Sequence, residues 1–175
     1  MFKLTLIIVL ITSIPACSPR FDWRDVHDGL SPYAVLMPGK PATMSREIRL
    51  GPQTVTMNMT AAQIGHVNFA VGAAKLTDAA GAQTMLATMK QGLLLNLAGH
   101  LTHEKISAAS SDGKMTLTDE FDAISSSADS SGTPVRMTGK LVGRGDWVFQ
   151  VLVVGPEKEI DNDAAETFFS SFKPV

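Results

Sequence analysis

The chain has 175 residues, with 15 Lys+Arg against 17 Asp+Glu, a formal net charge of −2 and a single cysteine. That length fits one domain with a core of its own, and one cysteine excludes an internal disulfide framework. The near-balanced charge, with no basic cluster longer than a pair, excludes a nucleic-acid footprint and a polybasic, lipid-reading segment.

The first element is a secretory signal. Met1-Phe2-Lys3 supplies a short basic start, and a charge-free run of 13 residues from Leu4 to Ala16 follows. A membrane-spanning helix needs about 20 apolar residues, whereas the apolar core of a signal takes roughly 7–15. Ile14 before Ala16 and Cys17 resembles a bacterial lipoprotein signal, with Pro15 the one departure from the usual pattern. The resemblance implies cleavage after residue 16, a diacylglyceryl thioether on Cys17 and acylation of its freed amine with a fatty acid such as palmitate. Two or more buried acyl chains give stable anchoring. Ser18, in place of an aspartate that would resemble an inner-membrane retention signal, points to the outer membrane with the domain in the periplasm. The expected organisation is a signal peptide at 1–16, a lipidated Cys17 and tether at 17–32, and a single domain at 33–175.

Within the tether, Phe21, Trp23 and Val26 alternate loosely with charges and part of it is expected to dock on the domain. Tyr33–Met37 reads as a strand stopped by Pro38-Gly39-Lys40-Pro41, and residues 45–50 as a second, broken by Gly51-Pro52. Gln53–Thr60 has the cleanest alternation: Val55, Met57 and Met59 on one face, Thr54, Thr56 and Asn58 on the other. After a turn at Gly65, Val67, Phe69, Val71 and Ala73 share one face of a strand, with the small set Asn68, Ala70 and Gly72 opposite. Small residues allow another layer, a ligand or a partner to approach.

The period then changes. Met85, Met89, Leu93 and Leu97 recur at helical spacing, predicting an amphipathic helix over 79–98 capped by Asp78 and ended by a positive-φ Gly99. Gly92 inside it predicts a close approach by a neighbour. Ser111-Asp112-Gly113 reads as a hairpin turn, residues 125–133 as a surface loop, and Gly143-Arg144-Gly145 as another turn. Trp147–Val154 is nearly continuously apolar, the pattern of a central strand buried on both faces. A last helix from about Asp161 to Phe172 carries Phe168, Phe169 and Phe172 as its apolar stripe, and Asp163 with Glu166 has capping-box spacing. Four strands, a long helix, about four strands and a final helix make an α+β domain, mostly antiparallel, with about six to eight strands packed with a long central helix and a C-terminal helix.

Two segments carry a family resemblance. Tyr33-Ala-Val-Leu-Met-Pro-Gly-Lys-Pro41 resembles the opening strand and Pro-x-x-Pro turn of PsbP-like domains and related proteobacterial lipoproteins. Thr167-Phe-Phe-Ser-Ser-Phe-Lys173 is similar to their closing helix. The resemblance implies the fold and favours binding over catalysis; the group shares no catalytic residue set to carry over.

No sequence motif states a reaction. His100 and His103 beside Glu104 are weak metal candidates, and their spacing is not the zinc-protease arrangement. Methionines at core positions read as packing rather than copper ligands, no Gly-x-Ser-x-Gly elbow is present, and no cofactor is expected. The expected function is a non-catalytic, lipid-anchored binding or scaffolding domain of the cell envelope, its partner another envelope protein. The expected contact surface is Thr54, Thr56 and Asn58, or Asn68, Ala70 and Gly72. The alternative is a small-molecule or lipid carrier with a pocket between sheet and long helix near Gly92, and a hydrolase with a triad assembled from distant positions comes third.

Overall fold

The computed structural model describes residues 20–27, 29–77, 81–128 and 132–175. The signal, Cys17, Ser18, the Asp78 cap and residues 129–131 lie outside them.

Seven strands form one antiparallel sheet: β3 (Ala42–Leu50), β4 (Gln53–Ile64), β5 (Val67–Lys75), β6 (Gly99–Ser111), β7 (Lys114–Ala128), β8 (Pro134–Arg144) and β9 (Trp147–Pro156). Their spatial order is β3-β4-β5-β9-β8-β7-β6. Neighbours in sequence pair through tight turns that the chain's glycines permit. Asp112 (φ 53°) and Gly113 (φ 69°) are both left-handed, the backbone a two-residue hairpin needs. Strand β9 lies at the centre, which explains its unbroken apolar run: Val148, Val151 and Val153 are fully buried.

The helix α1 (Ala82–Leu97) spans 16 residues, starts later than expected and lies on one face of the sheet rather than at its centre. Met85, Leu86 and Met89 pack there against Phe121, Met137, Leu141 and Leu152. Leu93 and Leu97 continue the stripe half-buried. Ala98, not Gly99, takes the left-handed position (φ 49°) and donates its N–H to the Leu95 carbonyl at 3.0 Å. Gly99 is needed for a different reason. It opens β6 against Ile124, where a Cβ would come within 2.3 Å of the Ile124 carbonyl oxygen.

The opposite face is covered by a second, three-stranded sheet and by α2 (Asn162–Ser171). That sheet has the order β1-β2-β10, from β1 (Arg24–His27), β2 (Tyr33–Met37) and β10 (Lys173–Pro174). Part of the tether thus docks as a strand. Phe168 sits fully buried, edge-on to Phe69 at 5.5 Å between ring centroids. Tyr33 is buried because its hydroxyl has a partner, donating to Thr60 Oγ1 at 2.9 Å. The cap of α2 is Asp161, whose side chain accepts from the Ala164 N–H at 3.0 Å. The Asp163–Glu166 capping box is therefore not used, because the helix begins two residues earlier than that box requires.

Two expected loops are strands. Strand β7 runs on to Ala128, with an irregular register after Ile124. There Ser125 Oγ accepts from the Val135 N–H at 2.9 Å and donates to the Ser127 carbonyl at 2.6 Å. Arg144 still pairs with Trp147, so the turn falls at Gly145-Asp146 instead of Gly143–Gly145.

Candidate functional site

A cleft of about 380 Å³ opens between α2 and the outer strands β7 and β8. It exists because α2 and the small sheet cover only the β4, β5 and β9 half of this face. The residues beneath it follow from alternation. Phe121, Ala123, Leu141 and Met137 turn toward α1, so Glu120 and Asp122 of β7 and Thr138 and Lys140 of β8 turn toward the cleft. The register sets Glu120 opposite Lys140 and Asp122 opposite Thr138. His103 enters from β6, directly opposite Asp122. The other wall is one stripe of α2: Glu166, Phe169 and Ser170, at helical spacing.

The floor is a charge ladder. Lys140 Nζ lies 3.0 Å from Glu120 Oε1. Asp122 Oδ1 accepts from Arg136 Nη2 at 2.9 Å and from Thr138 Oγ1 at 2.7 Å. Burial alone would raise the Asp122 pKa, but these hydrogen bonds and the charges of Arg136 and His103 outweigh it and hold the carboxyl below its ordinary range. Between the two charge pairs, Gly139 carries no side chain because the Phe121 ring occupies that space; a Cβ would sit 2.3 Å from it.

His103, Asp122 and Ser170 share this cleft, and they are the residue types of a nucleophilic triad. Acyl transfer needs the nucleophile bonded to the base and the base bonded to its orienting acid. Here the Ser170 hydroxyl donates to the Thr167 carbonyl at 3.2 Å, and Asp122 is committed to Arg136 and Thr138. The arrangement offers shape, fixed charge and one apolar wall.

Of the site residues singled out from sequence, His103 lines the cleft and the others lie elsewhere. Thr54 and Thr56 are exposed on β4, on the α2 side of the sheet but across β5 and β9 from the cleft strands. Asn58 is already engaged, accepting from Ser45 Oγ at 2.7 Å and donating to Ser31 Oγ at 3.1 Å. Asn68, Ala70 and Gly72 point to the opposite, α1 side. Asn68 is exposed, whereas Gly72 is buried, with Gln150 and Met57 in the space its missing side chain leaves. The structure thus places the two expected surfaces on opposite faces of the sheet. His100 and His103 are both exposed on β6, and among the described residues no group of three His, Cys, Asp or Glu side chains converges as a metal site would require.

Under the first turns of α1 the space above the sheet is filled by Met85, Leu86, Met89, Phe121, Met137 and Leu141, while an opening of about 380 Å³ remains at the helix's C-terminal end, between Asn96 and Leu97 and the strand residues Ser125, Val135, Met137 and Val154. Gly92 meets nothing within 4 Å of a Cβ position, so no close approach explains it. Phe69 belongs to the other core, under α2. The β7 and β8 residues of the cleft floor were not singled out from sequence, although a signal existed: acids at 120 and 122, and Arg136, Thr138 and Lys140 at alternate positions, form a complementary cross-strand set.

No family model matches the chain, and no curated protein does. Among solved structures, it is similar to the solution structure of cyanobacterial PsbP (CyanoP) from Synechocystis sp. PCC 6803, with a TM-score of 0.52 over 94% of this chain and 99% of that one. The fold is PsbP-like. At 14% identity the likeness concerns the fold alone. It agrees with the PsbP-like resemblance read from Tyr33–Pro41 and Thr167–Lys173, and with an α+β domain built on a seven-stranded antiparallel sheet and two helices. Among the described residues, no helix is long and apolar enough to cross a membrane.

Proposed function

We propose that this protein is a lipid-anchored binding domain of the cell envelope. Cys17 holds it on the periplasmic side of the outer membrane, and the cleft between α2 and the β7–β8 strands receives a partner protein. The observation that carries the binding reading is that cleft: open to solvent, with rigid strands for its floor and charges fixed in pairs. A floor of strands holds polar groups in place more firmly than a loop does. The anchor rests on the pattern Ile14-Pro15-Ala16-Cys17-Ser18.

Two measurements test the reading. Fractionation of cells expressing Cys17→Ser should find the protein moved from the membrane pellet to the soluble fraction; a variant that still pelleted with outer membrane would remove the anchor. Pulldown from solubilised envelopes with the lipidated protein should return a reproducible partner, and Lys140→Glu, which sets two carboxylates against each other on the floor, should lose it. A partner retained undiminished by that variant would place the contact elsewhere.

A further inference from the structure

Glu166 stands on the cleft wall without a counter-ion. Glu120 is paired with Lys140, and Asp122 with Arg136, but among the described residues no hydrogen bond or ion pair is made to the Glu166 carboxylate. Phe169 lies three residues further along the same helical stripe. It is half-buried and packed against the core beneath it, so the wall offers a carboxylate and a fixed apolar ring side by side. The cleft floor already holds one alkylammonium, that of Lys140 on Glu120 at 3.0 Å. His103 faces Asp122 across the β6–β7 pair; on the helix wall the charge left without a partner is negative, and the adjoining surface is apolar. That combination complements a cation on a hydrocarbon stem, because long basic side chains lay their methylenes along apolar surface while the charged head seeks an acceptor.

We infer that the cleft receives the alkylammonium side chain of a lysine on the partner protein, its stem along Phe169 and its charge on Glu166. The inference rests on the binding reading above and gives that site its ligand chemistry. A lysine within a chain fits better than a free polyamine. The cleft, at about 380 Å³, is open rather than enclosed, so the backbone on either side of the lysine can leave along the exposed strand β6.

The test is a titration of the full, detergent-solubilised protein at physiological ionic strength, followed by backbone amide chemical shifts. Three probes are compared: a capped Gly-Lys-Gly peptide, its norleucine counterpart without the charge, and spermidine. The lysine peptide should shift the amides of Thr138, Phe169 and Ser170 with a millimolar dissociation constant, and the norleucine peptide should not. Glu166→Gln should weaken the lysine peptide about two- to fivefold, the range an exposed ion pair supplies. Glu166 is exposed, so this variant keeps its fold, which the unchanged shifts of the core amides verify. Glu157→Gln, which removes an exposed carboxylate away from the cleft, should change nothing.

An equal loss in both variants would mean general attraction to net charge and overturn the inference. So would binding of spermidine without the lysine peptide, which would point to a free polyamine. If the norleucine peptide shifted the same amides as strongly, the lysine assignment would fall while the cleft stood as a binding site. If no probe moved any cleft amide, both would fall.

Discussion

Gly139 and Gly92 show how differently two glycines are held in one chain. At Gly139 a Cβ would lie 2.3 Å from the Phe121 ring, and that ring is packed in the layer beneath α1. Gly139→Ala should therefore destabilise by about 1–3 kcal/mol, the usual cost of overpacking, seen as a lower urea midpoint. Gly92 has open space where its side chain would be, so only its poor helix propensity is felt. Gly92→Ala should raise the midpoint, by about 0.5–1 kcal/mol. Asp122 makes a prediction about pH. Its folded pKa is depressed, so the unfolded chain binds its proton first as acid is added. Its contribution is complete above the ordinary value of 3.8 and is lost as pH falls through the lower folded value. Asp122→Asn should flatten the fall of stability with acid below about pH 4; an unchanged acid limb would mean the Arg136 and Thr138 bonds do not hold the carboxyl in solution.

At the scale of elements, the docking of α1 rests on one ionic cluster as well as on its apolar stripe. Lys90 Nζ donates to Asp119 Oδ2 at 2.6 Å and also reaches Glu104. Burial alone would lower the Lys90 pKa, but the two carboxylates outweigh it and raise it. Asp119 is 4% exposed, and its other oxygen, Oδ1, is buried without a hydrogen-bond partner. Lys90→Met strands that carboxylate, at about 3–5 kcal/mol, while Lys90→Met with Asp119→Leu should recover most of the loss, since an apolar pair of similar volume replaces a buried ion pair at little cost. Denaturant midpoints of the single and double variants decide it. Sequence showed α1 as a stripe of Met and Leu but not this cluster, because Lys90 reads as a solvated helix position until β6 and β7 are placed under it. The strands were legible where alternation was clean, as at Val55 and Met57. They were misread at 125–128, where serine side chains make bonds that the regular ladder would otherwise make.

Over the whole molecule, what could not be read was long-range pairing. Strand β5 pairs with β9 far along the chain, β2 pairs with β10 near its end, and α1 carries the chain across to the far edge of the large sheet. Local periodicity marks both strands as buried but carries no information on which distant strand lies beside which. The candidate site depends on that arrangement, since it joins His103, Glu120, Lys140 and Glu166 from four separate elements. The surfaces expected from sequence were single-strand faces, the only kind that one segment's pattern can show. The cleft is the surface that the assembled fold adds. Its proposed role as the contact with an envelope partner is tested most directly by photo-crosslinking in intact cells. A photoreactive residue is placed at Ser170, on the cleft wall, and in a second strain at Glu157, exposed away from it. One reproducible adduct with an envelope protein is expected from position 170 and none from position 157. No adduct from position 170, or the same adduct from both, would contradict that role.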